Sequence, residues 1–391
     1  MLKKNFIEKI LIYFLICFSI MRASLYGSKE YLNYKYIFWI SNICFVLFCV
    51  VYYFLKKRIE LKAIFFSFAK IGYYLKFYSF IGIIGNFILF IFFNEKNIRL
   101  RRKGFKILLN IIFLLCFFSI IEYLYVLFID DTFLTPNFIG NKAKYNWFYN
   151  IGFFNSFLEN TNGERVKRIL SIFNEPGYFG TFLGIFILFT KNENKFKMFI
   201  IYLAGCLTLS TAFVYFVVMK IFFESTSLKK ICKSIVIVFI LVNIVVISGN
   251  RNEYIRKNIV IKIEKIFKNK TLNRSVEVDR KRLKDFYKNG NIIWGEKKAF
   301  KGVDSNTFGE LIYQFGIVGT VINIILFLNI ANFFSVKNFK TRILILVALS
   351  SIIQRIDILD LTTLLCVYFG PTYYDLKITK NKRKELEYKN L

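Results

Sequence analysis

The run RILSIFNEPGYFGTFLGIFILF, residues 168–189, sets asparagine, glutamate and proline into the first turns of an otherwise apolar, helix-length segment. Glu175 offers a carboxylate that can accept a proton. Arg168 offers a planar fork of donors that can hold phosphate oxygens bidentately. Pro176 removes a backbone donor and loosens the turn before it, so Asn174 and Glu175 are expected on irregular backbone at the external end of a span. A second arrangement uses the same residues: Glu175 pairs with Arg168 or Lys167 and anchors the helix end. In either case a charge in an apolar segment is costly, which makes this stretch the first place to look for chemistry.

The elements that must hold these groups read as membrane helices. Hydrophobic residues make up 56% of the 391, aromatic residues 19%, and the mean hydropathy is +0.47. Runs such as Tyr36–Leu55 and Phe105–Ile129 are apolar on most faces at bilayer-spanning length, whereas barrel strands would be shorter and alternating. The expected fold is an all-α, polytopic integral membrane protein with about twelve transmembrane helices and a large, partly helical external loop. The spans are placed at 6–21, 36–55, 61–75, 77–93, 105–129, 169–190, 197–209, 210–223, 232–248, 312–334, 341–353 and 361–372. Those at 61–75, 197–209 and 210–223 and the last pair fall short of the ~20 residues of a straight crossing, so some are expected to be re-entrant. The first helix is read as retained rather than as a signal peptide, because many spans follow it.

Clusters of lysine and arginine at 56–62, 96–106, 191–197, 229–233, 337–342 and 377–389 are assigned to the cytoplasm, which puts both termini inside. The chain then divides into N-terminal transmembrane helices (1–129), a first external loop (130–168), central transmembrane helices (169–248), a large basic external loop (249–311), C-terminal transmembrane helices (312–372) and a basic cytoplasmic tail (373–391). The large loop carries sixteen cationic against eight acidic residues. It reads either as a solvated surface or as an attractor of a phosphate-bearing substrate or anionic headgroups. Nucleic acid is not an expected partner, although the net charge is +31. The seven cysteines (17, 44, 49, 116, 206, 232 and 366) fall in or beside apolar runs without paired spacing and read as small apolar fillers. The chain has no histidine, which excludes a histidine base and a histidine-ligated metal.

Arg168-x2-Ser171-x-Phe173-x-Glu175-Pro176-x3-Gly180 resembles the arginine-to-proline signature of bacterial O-antigen polymerases of the Wzy type and of the related O-antigen ligases. Downstream, Arg280 in VEVDRKRLKDFYKNGNIIWGEKKAFKGVDSNTFGELIYQFGIVG resembles the arginine of that family's large periplasmic loop. Gly302, Asn306 and Gly316-Ile317-Val318-Gly319 resemble its glycine-rich turn, loop-end polar pair and following span. There are departures. Ser305 stands where the ligases, and some polymerases, have a histidine before the asparagine, which favours polymerase over ligase. The serine-arginine pair that often follows the two central spans is Ser210-Thr211 here.

The resemblance implies a metal-independent glycosyltransferase at the periplasmic face of the bacterial inner membrane, with no cofactor. Its donor would be a glycan on undecaprenyl pyrophosphate and its acceptor a repeat unit on the same kind of lipid; a chain-length regulator and a flippase would be its protein partners. Arg168 and Arg280 are then assigned to pyrophosphate, with Arg165 as a third. Asn174, Ser305 and Asn306 join the substrate-binding set. Glu175 is the candidate base, with Asp304 and Glu310 as rivals. The alternatives are an O-antigen ligase and a lipid-linked oligosaccharide flippase. A carrier is expected to show repeated halves and short loops, and this chain shows two long external segments and no internal repeat.

Overall fold

The computed structural model describes residues 2–23, 43–49, 51–52, 91–93, 97–128, 137–138, 146–151, 154–161, 164–171, 173, 176–208, 210–224, 277–296, 308–351 and 361–389. The spans expected at 61–75 and 232–248, and most of those at 36–55 and 77–93, lie outside the described residues. In chain order the elements are α1 (Leu2–Ala23), α2 (Ile98–Phe128), β1 (Asn137–Phe138), β2 (Asn146–Ile151), β3 (Phe154–Thr161), β4 (Glu164–Ser171), α3 (Pro176–Leu188), α4 (Lys195–Leu207), α5 (Thr211–Glu224), α6 (Glu277–Asn289), α7 (Phe308–Ile330), α8 (Phe339–Ser350) and α9 (Leu361–Lys389). Helices dominate, in keeping with the helical class; the exception is a four-stranded sheet. Among the described residues, two helices are long and apolar enough to cross a membrane, over Ile98–Tyr125 and Leu311–Ile330.

The chain forms two compact units. The first comprises Met1–Ile111, Phe189–Asn192 and Glu277–Leu391. Its α2 starts seven residues ahead of the expected span at 105, because Asn97 Oδ1 accepts the Leu100 N–H at 3.1 Å and caps the helix within the basic cluster. Arg101 of that cluster is 2% exposed. Its guanidinium lies 4.2 Å from the Tyr368 ring centroid on α9, an arrangement worth ~2 kcal/mol when desolvated. Beside it Phe105 stacks on Tyr373 at 4.6 Å, and Ser19 of α1 donates to Thr362 at 3.1 Å. α9 does not stop at residue 372 but runs through Pro371 to Lys389, so most of the expected tail is helical.

The second unit comprises Ile112–Leu188 and Glu193–Val276. Its sheet is an antiparallel meander in the order β1-β2-β3-β4. This corrects the expected boundary at 168/169 and the helical span from 169: the chain there is a strand, with Ile169 paired in register with Ser156 and Ser171 with Asn155. The physical reason lies in Pro176. It is well placed in the first turn of a helix, where backbone donors lack intrahelical partners, and badly placed two turns inside one. The helix therefore starts at the proline. The short spans expected at 197–209 and 210–223 correspond closely to α4 and α5.

α3 is buried along its length from Gly177 to Leu188. A helix apolar on every face belongs inside its neighbours. Two glycines set the approach to α5: a side chain at Gly184 would overlap the Phe216 ring, and one at Gly180 would overlap Ser210 and Thr208. Spaced four apart, they share one face of α3, the small-residue arrangement that lets helix backbones come close.

Candidate functional site at the start of α3

β4 delivers the signature. Its backbone pairs Arg168 with Phe157 and Arg165 with Asn160, and a register shift falls at Asn155/Ser156, one step before the strand ends. On a strand, positions alternate between faces, so two residues three apart belong to opposite faces, whereas on a helix they would share one.

At Ser171 the backbone turns into the left-handed region, φ 57°. A residue with a Cβ pays roughly 1–2 kcal/mol for that conformation. The Ser171 side chain is fully buried and its Oγ has no hydrogen-bond partner among the described residues. An orphaned buried hydroxyl costs ~1–3 kcal/mol. Two expenses at one residue, in the middle of the signature, make it a functional candidate by the logic that strain survives where surrounding structure enforces it. Two residues on, Phe173 is buried with its ring 5.5, 5.1 and 5.4 Å from those of Tyr178, Phe179 and Phe182. This aromatic plug pins the chain to α3 on the far side of Asn174 and Glu175, which lie outside the described residues.

The other wall is the turn from α4 to α5. Thr208 Oγ1 donates to Gly205 O at 2.6 Å and accepts the Ser210 N–H at 3.3 Å, and both side chains are buried. Gly180, the last residue of the signature, lies directly against them. The signature and Ser210-Thr211 are thirty residues apart in sequence, and the structure makes them neighbours. At the opposite end of α3, Lys220 of α5 is buried, donates Nζ to Ile187 O and lies 3.8 Å from Glu224. A cation at a helix C-terminus meets the negative end of the helix dipole.

The downstream candidates fall in the first unit. Arg280 stands on α6 and Glu310 in the first turn of α7, while Asp304, Ser305 and Asn306 lie outside the described residues. Gly316 is the departure from helix inside α7, φ 66° and ψ −179°. The turn after α6 fills this break: Ile317 N–H donates to Ile292 O at 2.9 Å, Val318 N–H to Ile293 O at 3.2 Å, and Glu296 N–H to Tyr313 O at 2.8 Å. The segment that resembles the family's span after the loop is therefore a broken helix whose freed backbone groups are satisfied by a neighbouring turn, while Gly302 lies outside the described residues.

No family model, curated protein or solved structure matches the chain. Two buried charges escape a reading that weighs charges mainly at loops: Glu122 inside α2, and Lys220 inside α5. Their signal is a lone charge in an apolar run, the same signal that picks out Glu175.

Proposed function

We propose that the chain is a multi-pass glycosyltransferase of the bacterial inner membrane that polymerises oligosaccharide repeat units carried on undecaprenyl pyrophosphate, at the periplasmic face. The observation that carries the reading is the construction of the signature. Strand β4 presents Arg168, Ser171 terminates it in a strained and unsatisfied state, Phe173 plugs it to α3, and Gly180 seats it against Ser210. Exposed apolar stripes support the membrane setting. Leu114, Phe118, Ile121 and Tyr125 on α2, and Ile317, Val321 and Ile325 on α7, recur at helical spacing and need an apolar solvent.

In this reading the donor's anomeric carbon already bears a good leaving group. Arg168 holds the departing pyrophosphate and the acceptor hydroxyl gives up its proton to Glu175, while Arg280, in the other unit, is a phosphate contact to be tested on its own. Purified protein in liposomes, supplied with lipid-linked repeat units, is expected to make polymer. Glu175→Gln should slow turnover ~10²- to 10⁴-fold with binding little changed. Arg168→Lys keeps one charge, loses the planar fork and should also cost heavily. Near-normal specific activity for Glu175→Gln moves the base to Asp304 or Glu310. Polymer made normally by a deletion strain, but left on its carrier, identifies a ligase instead.

The broken helix α7 favours one second reading. Interrupted helices often line the midplane sites of carriers. A chain that moves a lipid-linked oligosaccharide between leaflets of a liposome, with no change in its length, would establish that reading over polymerisation.

A further inference from the structure

We propose that the turn 290–296, together with α6, is an anchor that binds the anionic headgroup surface of a bilayer at the level of Gly316. The inference rests on α7 crossing a bilayer and is independent of any glycosyl transfer.

The turn is built onto α7 rather than hung from it. Its three backbone bonds to Tyr313, Ile317 and Val318 close the break at Gly316. Gly295 itself is left-handed, φ 70°, and a side chain there would overlap the backbone of Gln314 and Gly316. Asn291 Oδ1 accepts the Trp294 N–H at 3.1 Å, and Phe286 of α6 packs on Tyr313 with ring centroids 4.9 Å apart. The height of the turn along α7 is therefore fixed by backbone bonds and ring packing on both sides of the break.

What this fixed turn presents is unusual for a water-facing loop. Trp294 is 50% exposed and Ile293 56%, with Tyr287 exposed on α6 just before them. Their apolar surface continues into Ile317, Val321 and Ile325 of α7, whose spacing of four puts them on one helix face. Beside this surface lies a helix of mixed but net positive charge. α6 carries Arg280, Lys281, Arg282, Lys284 and Lys288 against Glu277, Asp279 and Asp285, and Lys284 and Lys288 are exposed. Amphipathic rings next to cationic heads, continuous with a lipid-length apolar stripe, match the boundary between hydrocarbon and anionic phosphate.

The dimensions agree. From Ile317 to Ile330 the helix rises ~21 Å, and the turns that follow carry the chain toward the ~30 Å of a hydrocarbon core. There a second pair of exposed aromatics, Phe334 and Phe339, alternates with Lys337 and Lys340. Gly316 thus marks one membrane boundary and the 334–340 segment the other. A protein partner or a free glycan would account for the exposed rings or for the charges, but not for their continuity with the α7 stripe.

The test uses the full chain in vesicles of phosphatidylcholine alone and with phosphatidylglycerol, labelled with a water-soluble amine reagent and read by mass spectrometry. Lys284 and Lys288 are expected to be modified about fivefold less in the anionic vesicles, the population change that corresponds to ~1 kcal/mol of attraction per lysine. In a Trp39→Phe/Trp147→Phe chain, Trp294 emission is expected to be quenched more by lipids brominated near the glycerol than by lipids brominated at the chain end. Equal labelling in the two vesicles overturns the proposal, as does Trp294 quenching by aqueous acrylamide with none by either lipid. Protection that appears only on adding a pyrophosphate-linked lipid assigns α6 to substrate capture and also overturns it. If the tryptophan-replaced chain does not fold, the labelling of the unaltered chain decides.

Discussion

Two turns of the backbone through positive φ, one inside a helix and one between a strand and a helix, are resolved in opposite ways. At Gly316 the apolar helix α7 is interrupted, yet the turn 290–296 supplies carbonyls to the first freed N–H groups and takes a carbonyl in return. At Ser171 the chain leaves β4 for α3, again with a positive φ, but at a residue with a side chain and with a buried hydroxyl left unbonded. A closed break is a structural joint. An open one keeps polar capacity in reserve, and in a low-dielectric interior that reserve is held at a cost of kcal/mol rather than tenths.

The sharpest way to break this comparison is at the closed joint. Gly316→Ala places a Cβ in a backbone region that is essentially restricted to glycine, against Ile293 O, and should cost more than ~3 kcal/mol, read as a fall in thermal midpoint of the detergent-purified chain. Next comes the wall of the open site: Gly180→Ala drives a methyl into Ser210 and should cost ~1–3 kcal/mol, separating α3 from the α4–α5 turn. Ser171→Gly has the opposite sign. It removes the strain and the orphaned hydroxyl together and should stabilise by about 1 kcal/mol and, on the proposed function, lower polymerisation. A loss of stability for Ser171→Gly comparable to that for Gly316→Ala would abolish the distinction between open and closed breaks.

The smallest effect comes from a carboxylate at neither break. Burial raises the Asp375 carboxyl above its ordinary 3.8, and hydrogen bonds from Thr341 and the Asn338 backbone draw it partly back. A carboxyl that binds its proton more tightly in the folded state contributes its full stability below about 3.8 and loses it as pH rises through the folded value. Asp375→Asn, which mimics the protonated form, should therefore match the parent chain in acid and be slightly more stable at neutral pH. Paired thermal scans on both sides of that window check the sign.

The helical pattern was readable wherever apolar length and a breaker coincided. α4 and α5 lie within two residues of their expected bounds because Asn194 caps the first, accepting the Phe196 and Lys197 N–H groups, and the 208–210 turn divides them. The sheet was not readable from the same signals. Its strands, NWFYNI, FNSFLENT and ERVKRILS, mix charge with apolar residues and gain their pairing from one another rather than from local propensity. The signature itself was visible as residue types in a row. That Gly180 meets Ser210, or that Arg168 sits on a strand, depends on long-range packing, which spacing along one segment does not encode.

The burial of α3 has a consequence for biogenesis. With thirteen residues the helix rises ~20 Å, well short of a bilayer core, and it has no face made for lipid. On the membrane reading it cannot settle alone as it leaves the ribosome. Its glycine face finds a partner only when α5 has been synthesised, so the central segment enters the membrane as a helical cluster rather than helix by helix. Chains cut after residue 190 should be cleared by the cell's proteases, whereas chains cut after 224 carry the partner and persist.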